Sequence, residues 1–140
     1  MIRVENVGDD RAARHQDQFA QKVDDFVLRV TQTLFGEIES GGRYSPGTPV
    51  RSGFTRGNWN RYPTTPRAGD LAVTENRVPW IRRLEFGFIG RDALGRYYTG
   101  FGPRSVGGRS SQAPEGFVRI ALANAPALVD EVRAHVFGAA

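Results

Sequence analysis

The 140-residue sequence predicts a single α+β domain. We expect a long N-terminal amphipathic helix, then a small and mostly antiparallel β-sheet with long loops, and finally a C-terminal helix. Three observations lead to this prediction. Apolar residues recur at helical spacing near the start, short alternating runs occupy the middle, and helical spacing returns near the end. The domain is expected to span residues 1–140, with irregular arms at about 40–69 and 100–112.

The first helix is predicted over about residues 10–34, and it could reach Ile38. Asp9 and Asp10 suit its start, because carboxylates cap free backbone N–H groups and complement the helix dipole there. Gly36, or the pair Gly41 and Gly42, is expected to end it. Its apolar stripe follows the helical period and consists of Phe19, Val23, Phe26, Val27, Val30 and Leu34.

Short strands are predicted in the middle of the chain. Residues 68–75 form the clearest case, because Leu71 and Val73 alternate with small or polar residues. Residues 55–59 could begin another strand, and residues 97–99 a third. Residues 86–89 lead either into a strand or into a loop. The Gly- and Pro-rich stretches between these runs indicate turns and extended chain.

Residues 76–87 combine apolar and charged side chains, and we interpret them as a short helix. Trp80, Ile81 and Leu84 would share one helical face. Pro79 suits the first turn, and Gly87 would end the helix. As a strand, the same segment would point Ile81 and Leu84 to opposite sides.

The closing helix is predicted from about residue 117, where apolar spacing becomes helical again. Pro126 lies within this pattern, so either the helix kinks there or two short helices abut. Residues 136–140 are expected to fray.

The charge is unevenly distributed along the chain. Residues 1–40 carry a net charge of −3, residues 41–119 carry +8 from thirteen arginines and five acids, and residues 120–140 carry −1. Arginine supplies planar donors for interfaces or phosphates, although coding bias also explains its abundance. Zero cysteines exclude disulfides and thiolate metal sites. No apolar run approaches the roughly 18 residues of a membrane span.

The residue types needed for catalysis are sparse. No cluster of Asp, Glu and His at metal-ligand spacing accompanies His15 or His135. Residues 102–109 lack the Lys-Ser/Thr ending of a phosphate loop. Glu85 could be an acid with a raised pKa, but we expect it to pair with Arg82, Arg83 or a neighbouring subunit's arginine, or to cap a turn. We therefore predict no enzyme, no cofactor and no metal site.

Nucleic-acid binding is the main alternative that the residues raise. Arginines and aromatic residues interleave at residues 56–62 and 96–98, as in grooves that bind single strands. However, the net charge is only +4, the first helix is acidic, and no helix-turn-helix, RRM or zinc pattern is present. A nonspecific DNA-binding accessory module stays open as a function.

Three segments occur in an order that is typical of one known family. They are SPGTPVRSG at residues 45–53 with Asn58 and Trp59 after it, NRVPWIRRLEFG at residues 76–87, and APEGFVRIAL at residues 113–122. In this respect the chain resembles the small neck proteins of long-tailed phages, the head–tail joining or tail-completion family. That family has a loop of the form S-P-V-D-T-G-x-L, a segment N-x-x-P-Y-A-x-x-V-E-F-G, and a turn P-F-x-R-P-A-L before its last helix. The likeness spans roughly residues 15–135.

The resemblance implies a structural virion protein that is not an enzyme and takes no cofactor. Such proteins form a homo-oligomeric ring, usually a hexamer, between head connector and tail tube. The implied partners are neighbouring neck, connector and tail-tube proteins, and double-stranded DNA that passes without sequence recognition. The implied location is the neck of the virion, assembled in the host cytoplasm and not in a membrane. Another minor tail subunit is the structural alternative.

In such a ring, the arginine-rich arms at residues 51–67 and 100–112 would contact adjacent subunits or the lumen. The candidate interface or lumen residues are Arg51, Arg56, Trp59, Arg82, Arg83, Glu85, Arg104 and Arg109.

Overall fold

The computed structural model describes residues 7–49, 53–86, 89–91, 97–99 and 116–138. Within these ranges the order of elements is α1 (Val7–Glu39), α2 (Phe54–Gly57), β1 (Trp59–Tyr62), β2 (Val73–Asn76), α3 (Ile81–Phe86), β3 (Ile89–Arg91), β4 (Tyr97–Thr99) and α4 (Val118–Phe137). The structure contains the long first helix, the antiparallel strands and the closing helix, so the α+β prediction is confirmed. The loop predicted at residues 100–112 lies outside the described residues.

Helix α1 is longer than predicted, at 33 residues or about 50 Å. It passes through Gly36, which was one of the expected stops. Phe35 and Ile38 are buried on either side of that glycine, and their packing offsets its weak helix propensity. The helix ends before Gly41, whose φ of 78° breaks the right-handed path.

Helix α4 packs antiparallel to α1. At one end the ring of Phe137 lies 5.7 Å from that of Phe26, and at the other end Phe117 and Ala121 pack with Ile38. The expectation that residues 136–140 fray is wrong for Phe137, because this contact holds the last turn. Residues 139–140 lie outside the described part.

Pro126 lies inside α4, which is one helix of 20 residues. This excludes the alternative of two abutting helices. The proline is exposed on the surface of the helix, so its ring meets no packed neighbour on that side.

The described strands pair antiparallel in two separate two-stranded sheets. Strand β1 pairs with β2 in the register Trp59↔Asn76, and β3 pairs with β4 in the register Ile89↔Thr99. Two predicted boundaries are wrong. Residues 54–57 form α2 before the strand starts, and β2 begins at residue 73 because residues 67–70 form a turn, with the Asp70 N–H donating to the Arg67 carbonyl.

Helix α3 forms where it was predicted, and Ile81 and Leu84 pack against the core. Trp80 does not share their face. It precedes the helix, stays 45% exposed, packs its ring 5.9 Å from that of Phe54, and donates from Nε1 to Thr55. None of the described helices is both long enough and apolar enough to span a membrane.

The apolar core of the described residues is small. Its buried members are Phe35, Ile38, Val78, Phe117, Ala121 and Leu128. Ile38, Phe117 and Ala121 form one cluster where the C-terminal end of α1 meets the N-terminal end of α4, whereas Leu128 lies near the middle of α4.

Candidate functional site

Phe117 lies at the point where the three family-like segments meet, and its side chain is fully buried. Its carbonyl accepts a hydrogen bond from Ser45 Oγ at 3.0 Å, and its N–H donates to Glu85 Oε2 at 2.7 Å. Its ring meets that of Trp59 edge-on, with centroids 6.4 Å apart. We call this arrangement the Phe117 junction, and it comprises Phe117, Glu37, Ser45, Thr48 and Glu85.

Glu85 caps the N-terminus of α4 from a position 5% exposed. Its carboxylate accepts the backbone N–H groups of Phe117, Val118 and Arg119 at 2.7, 2.9 and 3.0 Å. Arg119 Nε adds an ion pair at 3.1 Å. These free N–H groups and the helix dipole favour a negative charge at this end. Of the roles expected for Glu85, turn capping is the one observed, and its described cationic partner is Arg119.

Gly116 makes the close approach of Glu85 to α4 feasible. Its φ is 78°, and a Cβ built there would lie 2.8 Å from both carboxylate oxygens of Glu85. A larger residue would therefore be strained in its backbone and would also crowd the carboxylate.

Glu37 accepts backbone N–H groups as Glu85 does, but in the loop that follows α1. Its carboxylate, 8% exposed, accepts the N–H groups of Arg43, Tyr44 and Ser45 at 3.0, 2.9 and 2.8 Å. The loop after α1 is thereby tied back to the last turns of the helix. The carboxylates of Glu37 and Glu85 each organise a turn through three backbone donors.

Thr48 joins the loop to the sheet and is fully buried. Its Oγ1 donates to the Ile38 carbonyl at 2.9 Å and accepts from Trp59 Nε1 at 2.8 Å. Arg56 donates to the Thr48 carbonyl from Nη2 at 3.0 Å. Throughout the described ranges, every buried side-chain nitrogen and oxygen has a hydrogen-bond partner.

The two arginines of the first interleaved segment are engaged within the chain, whereas Arg96 of the second segment lies outside the described residues. Arg61 forms a bidentate pair with Glu39, at 2.8 and 2.7 Å, and Arg56 bonds to Thr48. Trp59 packs against Phe117, whereas Tyr62 is exposed. Three of the four residues in the first interleaved segment therefore support the fold, which weighs against a stacking groove there.

The eight predicted interface residues are distributed over several environments. Arg56, Trp59 and Glu85 lie in or beside the Phe117 junction, and Arg82 is exposed on α3. Arg83 also belongs to α3, but its side chain is not described. Arg51, Arg104 and Arg109 lie outside the described residues. A role for the eight in subunit or lumen contacts stays a prediction.

Sequence reasoning missed the roles of Glu37, Ser45 and Thr48. Glu37 occupies the last turn of a long helix, where a carboxylate is ordinarily solvated. The one available signal was the Gly- and Pro-rich loop that follows within ten residues, since tight loops leave backbone donors that need acceptors.

Several large apolar side chains in the described ranges are exposed. They are Phe19, Phe54, Leu71, Val73, Trp80, Phe86, Leu122 and Phe137. Leu71 is the extreme case at 85% exposed. Exposed apolar side chains that are scattered singly are ordinary on a protein surface.

Comparisons of the chain with protein-family models, curated proteins and solved structures give no match. Among the described residues, no group of three or more His, Asp or Glu side chains is placed to hold a metal ion.

Proposed function

We propose that the chain is a structural virion protein of the phage neck, which joins head and tail as a ring between the head connector and the tail tube. The observation that carries this proposal is the Phe117 junction. Three segments that are far apart in the sequence, and that together resemble the neck family, contact one another there through Ser45, Glu85 and Phe117. The presence of all three segments in one chain then has a single physical cause, because together they build one structural unit.

The charged groups of the junction suit an architectural role. Glu37 and Glu85 each accept three backbone N–H groups, and Arg61 is paired with Glu39 in a bidentate contact. Such bonds hold loop ends and helix ends in place. A subunit that transmits contacts around a ring needs its connecting segments fixed in this way.

The shape of the helix pair also supports assembly. Helix α1 has 33 residues and α4 has 20, so α1 is longer by about 20 Å. Residues 10–18 of α1 precede the contact between the rings of Phe19 and Phe137, and all of them are exposed. Neighbouring subunits in a closed ring, related by rotation, would cover such a projecting segment through head-to-tail contacts.

The proposal is tested by sedimentation analysis and negative-stain electron microscopy of the full chain over a range of concentrations. We expect ring-shaped particles with a central channel, in equilibrium with smaller species. A chain that stays monomeric at every concentration, and that also fails to bind isolated neck or tail particles, would contradict the proposal.

A second measurement separates the DNA-binding alternative. Fluorescence anisotropy with single- and double-stranded oligonucleotides should show weak binding at low salt and none near physiological salt. Tight binding by the monomer, with a steep decrease in affinity as salt rises, would favour the accessory module instead.

A further inference from the structure

The chain leaves α3 at Phe86 and enters α4 just after Gly116, and these two points lie side by side. A Cβ built on Gly116 would lie 2.8 Å from the carboxylate oxygens of Glu85, the neighbour of Phe86 in the chain. Residues 87–115 therefore start and finish at one place in the fold. Strands β3 and β4 belong to this stretch.

The two points are held together by contacts that run in both directions. The Glu85 carboxylate accepts three consecutive backbone N–H groups, from Phe117 to Arg119. Arg119 bonds back to Glu85, with Nε 3.1 Å from Oε1 and Nη2 donating to the carbonyl oxygen at 3.0 Å. The guanidinium of Arg119 also lies 6.0 Å from the centre of the Phe86 ring. We call Glu85, Phe86, Gly116, Phe117 and Arg119 the clasp.

Each side of the clasp is anchored in the core. Leu84, one residue before Glu85, packs against the buried cluster, and Phe117 is a member of that cluster. Glu85 is only 5% exposed, so little water competes for its carboxylate. Hydrogen bonds to an ionised carboxylate are also about twice as strong as those between neutral groups. The clasp therefore holds through contacts that lie outside residues 87–115.

Strands β3 and β4 form a unit of their own. They pair antiparallel with each other, and Gly90 lies opposite Tyr98. Their sheet is separate from that of β1 and β2. Among the described elements, each of these two strands has its extensive contacts with the other strand alone.

Strands β1 and β2, by contrast, are bonded to α1. Arg61 of β1 and Thr74 of β2 both donate to Glu39, at 2.8 and 2.9 Å. The Trp59 indole N–H donates to the buried Thr48 at 2.8 Å. The two hairpins are similar in size, so β1–β2 serves as a comparison in which strands and helix are coupled.

We propose that the clasp uncouples the helix pair from residues 87–115. The entropy cost of joining the ends of a loop grows only slowly with its length, so a fold that holds both ends tolerates large changes between them. A partner that binds or re-pairs β3 and β4 then leaves α1 and α4 in place, because the displacement stops at Glu85 and Arg119. The inference concerns the single chain and does not depend on the proposed ring.

Proline substitution in each hairpin tests the uncoupling in the full chain. Gly90→Pro in β3 removes a backbone donor and weakens the β3–β4 pair. We expect its thermal midpoint, followed by helical circular dichroism, to fall by less than about 2 °C. Asn60→Pro is the matched control, because Asn60 also lies within a paired strand, but that strand is coupled to α1. Its midpoint should fall by about 10 °C. A fall of more than about 5 °C for Gly90→Pro would overturn the proposal.

A cut in the stretch tests the clasp itself. A cleavage sequence for a site-specific protease is placed after Gly107 of the full chain, and the chain is cut after folding. We expect the two pieces to remain in one particle on size-exclusion chromatography, with unchanged helical circular dichroism. In the cut chain, Glu85→Gln should raise the dissociation constant of the pieces about tenfold or more, since one backbone N–H loses its acceptor. Asp130→Asn, in an exposed ion pair on α4, should change it by no more than about twofold.

Both measurements are made on the dissociated chain, so their results do not depend on assembly. Pieces that separate in the cut parent chain would overturn the clasp, and so would equal dissociation constants for the Glu85 and Asp130 variants. A chain that never forms rings would contradict the proposed function and leave the clasp unaffected.

Discussion

The substitution Glu85→Gln tests the claim that one carboxylate holds the start of α4. The glutamine has the same shape, but one of its two polar ends is an NH₂ group that cannot accept a hydrogen bond. In the native chain Oε2 accepts from Phe117 and Val118, and Oε1 accepts from the backbone and side chain of Arg119. Either orientation of the amide therefore leaves two donors facing a donor.

The expected loss of unfolding free energy depends on which of these donors lose their hydrogen-bond acceptor. Phe117 is fully buried, whereas the Arg119 side chain is 50% exposed, so the amide should turn towards Arg119, where water can replace part of the loss. One unsatisfied backbone N–H costs about 1–3 kcal/mol, and loss of charge at a helix N-terminus adds about 0.3–1 kcal/mol. We expect a loss of about 2–3 kcal/mol, equivalent to a thermal shift of about 6–12 °C for a chain of this length.

Urea unfolding followed by tryptophan fluorescence and circular dichroism measures this loss at one fixed protein concentration. Asp130→Asn on the same helix is the control, because its pair with Arg133 is exposed and is worth at most about 0.5 kcal/mol. Amide hydrogen exchange at Arg119, whose N–H loses its acceptor, should accelerate in the Glu85 variant alone. Equal urea midpoints for the two variants would refute the capping role.

Two further predictions concern the same region. Gly116→Ala should destabilise the chain by at least about 1 kcal/mol, because the positive φ at this position is strained for alanine and the new Cβ would crowd Glu85. Gly57→Ala is the control. Gly57 has open space around it and no positive φ, so this change should be neutral in the same unfolding assay. The hydrogen bond to Glu131 raises the pKa of Tyr44 above the usual 10.0. The stabilising effect of this bond is fully present below pH 10 and is lost as pH rises through the higher folded-state pKa. The difference between the ultraviolet titrations of the parent chain and of Tyr44→Phe should show this phenol ionising above pH 10, and ionisation at or below pH 10 would contradict the contact.

The helices could be predicted from residue spacing because a helix is a local structure. The stripe from Phe19 to Leu34 repeats at the helical period, and so do the apolar residues after Phe117, so α1, α3 and α4 were all expected near their observed positions. The error at residues 55–59 has a local cause as well. Asn58 Nδ2 bonds to the Phe54 carbonyl at 2.6 Å and closes a helical turn before β1 begins.

The ends of the elements depended on contacts across the fold. Phe137 looks like part of a loose terminus in the sequence, yet Phe26, more than a hundred residues earlier, holds it in place. Gly36 looks like a helix stop, but burial of its neighbours outweighs its local propensity.

The Phe117 junction shows most clearly which features follow from local sequence and which depend on contacts across the fold. Local patterning was sufficient to predict the long first helix, α3 and the closing helix with short strands between them, because helical and strand spacing depends on neighbours along the chain. The likeness of three segments to the neck family stays a prediction. The partners of Glu37 and Glu85 could not be inferred in that way. A buried carboxylate takes whichever backbone donors the folded chain leaves without partners, and those donors are known only when the loop after α1 and the start of α4 have come together in space.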